Sequence, residues 1–372
     1  MRKKILIPAW SFYPSQEGGP SNALYWLASA LSYANFEVRV VATNRCLPKG
    51  VVVENAWVKF NGFEVIYAQE DLYFAILNEE VFNCDILISS GVCMFQTFKL
   101  NIKAILLCKR VILSPRGELL DSAIYHKGVL YGLLKRLLFY IMSIFYRNKV
   151  LFHATSYEEE IAIRKSMGQR VKVVEIPNYM ILPSKLNKDT LNCNYDYLLY
   201  VGRLNQIKNI DIIIKGLAKS KRFIDGQYKL KLAGDPIGPY YEYLVGLVQS
   251  LALSDKVQFL GMVTGDDKIK LYSQAKCLLL MSKSENFGNV VVESLSQGTP
   301  VIASHGTPWQ ILSDKGAGWW INASPDDVAT FVDELLMLDV GVYTQMRNNA
   351  FELSRDFDVY ANVHRWVGVI NM

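Results

Sequence analysis

The stretch that decides the fold runs Cys277-Leu-Leu-Leu-Met281-Ser-Lys-Ser-Glu285-Asn-Phe-Gly288-Asn-Val-Val-Val-Glu293-Ser-Leu-Ser-Gln297-Gly-Thr-Pro-Val301-Ile-Ala303. The apolar run Cys277–Met281 does not alternate with polar residues, so both of its faces must be covered. A helical pattern follows over Val290–Gln297, and a second apolar run stands at Val301–Ala303. Strand, helix and strand in that order make a parallel crossover unit and place the chain in the α/β class.

Outward from this unit the alternation continues. Strand-like runs stand at Tyr197–Gly202, Lys229–Ala233 and Val257–Leu260. Helical patterns lie at Ile210–Lys221, Tyr240–Leu253, Asp267–Ala275 and Asp326–Leu338. Ser324 before Pro325, with Asp327 behind, is a helix-start signal. The first half repeats the scheme, with runs at Ile5–Ala9, Val38–Thr43, Asp85–Ser90, Val111–Ser114 and Leu151–Thr155. Its first helix is expected over Ser21–Asn35, where Leu24, Leu27, Ala28 and Leu31 keep helical spacing.

Between the two blocks, residues 181–196 are polar, contain Pro183 and hold no period, so they read as a linker. At 372 residues the chain exceeds what one hydrophobic core serves. Two doubly wound, Rossmann-like domains follow, over 1–180 and 197–356, facing each other across a cleft. The last helical pattern, Tyr343–Met372, breaks near Asp356–Asp358, so 357–372 are expected to cross back to the first domain.

Composition narrows the function classes. Hydrophobic residues make up 51% and charged residues 20%, which is globular and not disordered. A net charge of +5 over this length does not mark a nucleic-acid binder, and it suits a small anionic substrate or an anionic lipid surface. The six cysteines form no CxxC pair and several sit in apolar runs, as free thiols of a reducing compartment do. None of the four histidines is spaced for a metal site. Met1-Arg-Lys-Lys-Ile-Leu-Ile-Pro8 reads as a first buried strand and not as a signal peptide, because its apolar core is too short. A cytoplasmic protein is expected.

The segment Val129–Tyr146 is nearly long enough to span a bilayer, but Lys135 and Arg136 sit at its centre. It is read as a buried or half-buried domain helix. Docking on the inner face of the plasma membrane is the alternative, and a transmembrane span is the least supported.

Three loops carry chemistry. Gly18-Gly19-Pro20-Ser21 lies between the first strand and the first helix, where backbone N–H groups suit a diphosphate or carboxylate. Taken alone it is merely a turn. In Gly202-Arg203-Leu-Asn-Gln-Ile-Lys208, an arginine and a lysine follow the first strand of the second block and are placed to reach one anion. In the quoted stretch, Glu285 lies in the loop after a strand, Gly288 allows close backbone approach, and Glu293 falls about two turns into the next helix. Two carboxylates so placed accept hydrogen bonds from a polyol such as a sugar or ribose.

The pattern Glu285-x7-Glu293 with Phe287-Gly288 inside and Gly298-Thr-Pro-Val301 behind, together with Gly202-Arg203-x4-Lys208, resembles the retaining glycosyltransferases of family four. The resemblance covers the whole second block, including Leu232-Ala-Gly-Asp235 and Phe259-Leu-Gly-Met-Val263. In the first block it is thinner, at Ser114-Pro-Arg116-Gly117, Ala154-Thr-Ser156 and Ile176-Pro-Asn178. It implies the GT-B fold and a hexosyltransferase that moves sugar from a UDP- or GDP-sugar to a glycan or lipid-linked acceptor in polysaccharide biosynthesis. It also implies retention of anomeric configuration, with no metal and no further cofactor.

In that family's terms Arg203 and Lys208 would neutralise the leaving diphosphate. Glu285 would hold donor hydroxyls, aided by backbone at Asn286, Phe287, Gly288, Asn289 and Val290. Glu293 would hold the ribose, Val263 would line the donor site, and Gly18 and Gly19 would approach the donor phosphate. Many relatives carry a histidine where this chain has Arg116, so Arg116 is the residue expected beside the reacting centre, and no catalytic base is identified. Asp356-Phe357-Asp358 matches a metal-binding Asp-x-Asp formally but reads as a cap and turn. The competing reading is a phosphorylase-like or non-catalytic GT-B protein that binds nucleotide or sugar.

Overall fold

The computed structural model describes residues 2–15, 19–47, 50, 52–125, 128–185 and 195–372. The chain divides into two compact units, Met1–Ile181 with Asp358–Met372, and Leu182–Phe357. Most of the expected linker, residues 186–194, lies outside the described residues.

The first unit is built on an eight-stranded sheet: β1 (Lys4–Ala9), β2 (Glu37–Thr43), β3 (Trp57–Phe60), β4 (Phe63–Ala68), β5 (Ile86–Ser90), β6 (Arg110–Ser114), β7 (Val150–Ala154) and β8 (Lys172–Glu175). The order across the sheet is β3-β4-β2-β1-β5-β6-β7-β8. Every pairing is parallel except β3 with β4. Strand order reverses between β1 and β5, since the chain first builds outward to β4 and then restarts on the other side of β1. Leu6, Leu87, Val111 and Phe152 are buried from the sheet, and Phe139, Met142 and Tyr146 reach their core from helix Val129–Tyr146.

The hairpin of β3 and β4 went unread in the sequence although its signal is present. Phe60-Asn61-Gly62-Phe63 turns the chain with positive φ at Asn61 and Gly62, the backbone that a two-residue hairpin requires. Helices Glu70–Asn83, Phe95–Leu106 and Tyr157–Met167 were also not anticipated. The C-terminal helix Val359–Asn371 belongs to this unit and packs on helix Gly19–Tyr33. Lys3 fastens it by donating to the Ile370 carbonyl at 3.0 Å.

The second unit carries a six-stranded, wholly parallel sheet: β9 (Tyr197–Val201), β10 (Lys229–Ala233), β11 (Val257–Gly261), β12 (Cys277–Leu280), β13 (Val301–Ser304) and β14 (Gly318–Ile321). Its order is β11-β10-β9-β12-β13-β14. Counted within the unit this is 3-2-1-4-5-6, the Rossmann order, and its switch point lies between β9 and β12. Leu198, Leu279 and Ile302 from the sheet pack with Ile213, Leu217 and Val332 from its helices. β14 was missing from the sequence reading because Gly318-Trp-Trp-Ile321 follows a turn-rich stretch and is only four residues long.

Candidate functional site

The two loops that leave the switch point of the second sheet are those after β9 and β12, and they carry Gly202–Lys208 and Met281–Gly288. Parallel sheets expose strand carboxyl ends there, and ligands bind in the crevice so formed. Each loop has local causes for its shape. Gly202 has φ +151°, and an added Cβ would meet the Tyr200 hydroxyl at 3.0 Å. That hydroxyl instead donates to the Arg203 carbonyl at 2.9 Å. The Asn205 side chain caps a single 3₁₀ turn, Gln206–Lys208, by accepting from the Ile207 amide. Asn209 then takes a left-handed conformation and releases the chain into helix Ile210–Lys219.

The loops are tied to each other: the Lys283 amide donates to the Ile207 carbonyl at 2.7 Å. Above that tie the Lys208 ammonium donates directly to Glu285 Oε2, with both side chains largely buried. The Ser282 hydroxyl donates to the same oxygen at 3.3 Å. Arg203, in contrast, is exposed. The switch point therefore holds one cation already paired to a carboxylate and a second cation free to reach an incoming anion.

Gly288 ends the second loop at φ +85°, a conformation that disfavours a side chain, and its Cβ would press on Glu285 and Trp309. Helix Asn289–Ser296 starts immediately after it, so the amides of Asn289 and Val290 lie in its first turn. Phe287 serves the core: its ring lies against Trp309 and Phe357 at 5.1 and 5.8 Å. The Trp309 indole N–H donates to its carbonyl. Glu293 is the fifth residue of the helix, a little over one turn in and not two. It accepts from the Tyr272 hydroxyl at 2.7 Å and pairs with the Lys268 ammonium at 2.6 Å. Burial first, and Glu293 second, raise the Tyr272 phenol well above its ordinary pKa, so it remains a donor.

Lys268 and Tyr272 were not singled out in the sequence. They stand four residues apart on helix Gly265–Gln274, and only that i, i+4 spacing marks them. Val263 lies half-buried on the loop leading into this helix, after the edge strand β11. The rest of the motif is architectural. Gly298 closes helix Asn289–Ser296 in the left-handed region, and the Thr299 hydroxyl donates to the Tyr272 carbonyl at 2.6 Å.

Residues 184–353 match the family model described as glycosyl transferases group 1. That match spans nearly all of the second unit, Leu182–Phe357. An uncharacterized glycosyltransferase of Methanocaldococcus jannaschii is 34% identical over 197 residues, covering 52% of this chain and 44% of that protein. The alpha-monoglucosyldiacylglycerol synthase of Streptococcus pneumoniae is 32% identical over 162 residues, 43% of this chain and 36% of that protein. The matched stretch thus spans less than half the length of these curated relatives. Among solved structures, the Anabaena protein HepE in complex with UDP and glucose matches with a TM-score of 0.72 and 18% identity, over 100% of both chains. At that identity the likeness establishes the fold, which is GT-B.

The first unit holds its own polar cluster. Arg116 follows β6 in the left-handed region, φ +52°. Its Nε donates to Ser90 Oγ at 3.2 Å and its Nη1 to Asn178 Oδ1 at 3.4 Å. Burial lowers the guanidinium to about 10, against the opposing pull of Glu159. Glu159 is wholly buried and accepts from the Gly117 amide at 2.6 Å and from the Thr155 amide and hydroxyl at 2.8 Å each. It fixes the backbone that points Arg116, and its signal was the Ser156-x-x-Glu159 capping spacing.

His153 is also buried. Its Nε2 lies 2.8 Å from the Ile176 carbonyl, which only accepts, so the proton sits there and Nδ1 accepts from Ser114 Oγ at 3.0 Å. Burial and the nearby Arg116 charge push it down to about 3. Arg116, His153, Asn178, Ala23, Leu27 and Trp366 line a small cavity. Gly19 opens helix Gly19–Tyr33, and Gly18 lies outside the described residues. Asp358 caps helix Val359–Asn371 by accepting from the Ala361 amide. Among the described residues no group of three or more His, Cys, Asp or Glu converges as metal ligands do.

Proposed function

We propose that the chain is a retaining glycosyltransferase of family four that transfers a hexosyl unit from a UDP- or GDP-sugar to a glycan or lipid-linked acceptor in polysaccharide assembly. The observation that carries this reading is the Lys208–Glu285 pair at the switch point of a Rossmann sheet, beside exposed Arg203. Arg203 and Lys208 stabilise the charge that grows on the departing diphosphate, so the positive charge comes from side chains and not from a metal. Glu285 accepts from donor hydroxyls, with the first-turn amides of Asn289 and Val290 beside it. Glu293, oriented by Tyr272 and Lys268, accepts from the ribose diol. Arg116 stands in the first unit as the charged group for the acceptor or the donor phosphate.

The UDP and glucose held by the Anabaena structure make UDP the first donor base to test. The lipid product named for the Streptococcus pneumoniae relative supports a lipid-linked acceptor. Five described cysteines are free, which suits the reducing cytoplasm. The test is a thermal-shift panel of UDP- and GDP-sugars followed by a transfer assay with the binder. One donor is expected to raise the melting temperature by several degrees at saturation. No shift with any nucleotide or nucleotide sugar sinks the reading.

A further inference from the structure

Helix Val129–Tyr146 presents a surface that transfer chemistry does not use. It is 18 residues long with a mean hydropathy of 1.5, yet only 22% of it is buried. Gly132, Phe139, Met142 and Tyr146 form its inner stripe. On the opposite stripe Leu130, Leu134, Leu137, Ile141 and Ile144 are 74, 60, 58, 45 and 62% exposed. Scattered exposed leucines are ordinary, but a whole helix face of them marks a contact with something apolar.

The central cations do not interrupt this face. The Lys135 ammonium donates to the Ala123 carbonyl at 3.3 Å. Arg136 donates to the Tyr125 hydroxyl and to Asp121 at 2.8 Å. Both turn toward the protein. Basic residues gather instead at the C-terminal end of the face. Arg147 and Lys149 are exposed there. Phe98 of helix Phe95–Leu106 packs on Phe145 at 5.8 Å, and Lys99 of that helix lies over the exposed Phe95 ring. Residues 95–149 hold ten Lys and Arg against two Asp and Glu, more positive charge than the net +5 of the whole chain.

We propose that this face docks on an anionic lipid surface, with the helix lying in the plane of the headgroups. An apolar stripe several residues wide with cations at its rim is what such a surface attracts: acyl chains take the side chains, and lipid phosphates take Lys99, Arg147 and Lys149. A spanning helix is ruled out by the inner stripe, which belongs to the core of the first unit. A symmetric pair of copies would set this positive region against itself, so a lipid surface is the better match of charge. The inference stands on the surface alone and does not depend on which sugar is transferred.

The experiment is flotation of the full chain with vesicles of phosphatidylcholine alone and with about a third phosphatidylglycerol, at low and high salt. The wild-type chain is expected to float with the anionic vesicles, less so at high salt and least with phosphatidylcholine alone. Leu137→Ser/Ile141→Ser/Ile144→Ser is expected to lose at least tenfold in partitioning with no loss of melting temperature, because these side chains are exposed. Arg147→Glu/Lys149→Glu is expected to lose about fivefold for each residue. A wild-type chain that stays behind, or a triple variant that floats equally well, overturns the proposal. A triple variant that turns a dimer into a monomer, without any vesicle binding, assigns the face to a second copy and overturns it too.

Discussion

Lys208 and Glu285, from the loops after β9 and β12, are bonded to each other across the point where strand order reverses. On the proposed reading, a diphosphate entering the crevice competes with Glu285 for the Lys208 ammonium. Neutralising that carboxylate frees Lys208 for the anion, while the same change removes an acceptor for donor hydroxyls. Glu285→Gln is therefore expected to bind UDP several-fold more tightly and to transfer sugar about a hundredfold more slowly. Lys208→Ala is expected to weaken UDP and slow transfer together. Calorimetry with UDP separates the two, and equal effects of both variants on UDP affinity contradict the pairing as the controlling contact.

Glu293 is held from two sides, by Tyr272 and Lys268. On the proposed reading this carboxylate accepts hydrogen bonds from the ribose diol, and a bond to a charged acceptor is worth more than a neutral one. The wild-type domain is expected to favour UDP over 2′-deoxy-UDP by about tenfold or more. Glu293→Ala is expected to bind both alike, because the group that distinguishes them is gone. If the variant kept the wild-type preference, the ribose would have to be read elsewhere.

How far the sequence carried this site follows from where its residues stand. The strand, loop and helix from Cys277 to Ala303 are contiguous, so their pattern and the placement of Glu285 could be read directly. Lys268 and Tyr272 could not, because they meet Glu293 only when helices Gly265–Gln274 and Asn289–Ser296 pack side by side. The same limit hid the role of Glu159, whose bond from the Gly117 amide joins segments more than forty residues apart. Helix Val129–Tyr146 was recognised by its composition, but it is apolar almost all round. No period could then say which stripe faces the core or that Lys135 and Arg136 turn inward.

Gly234 marks where backbone must meet backbone. A Cβ there would lie 2.1 Å from the Gly202 carbonyl oxygen, far inside contact distance, and neither group can rotate away. Gly234→Ala must push the loop that carries Arg203, and is expected to cost more than about 2 kcal/mol and most of the nucleotide affinity. Gly246 is the comparison: it lies in helix Pro239–Ser250 with open space around its Cβ position. Gly246→Ala is expected to stabilise by about 0.5–1 kcal/mol with unchanged nucleotide binding. Urea unfolding of the two variants checks both signs.

His153 couples the first unit to pH. Its folded pKa is near 3, below the ordinary imidazole value, because burial and Arg116 oppose the charged form. Between about pH 6.5 and 3 the unfolded chain binds a proton that the folded chain refuses. Stability from this group is therefore complete above pH 6.5 and falls as pH is lowered, by about 1.4 kcal/mol per unit. From pH 7 to pH 5 the expected loss is about 2 kcal/mol. Carboxylates titrate near the lower end of this range, so the comparison is with His153→Asn, which keeps a polar side chain but binds no proton. The variant is expected to be less stable at pH 7, because it gives up the bonds to Ser114 and Ile176, and to lose distinctly less than wild type on going to pH 5. Equal losses in the two proteins, measured by urea unfolding at both pH values, would mean that His153 takes up its proton without unfolding.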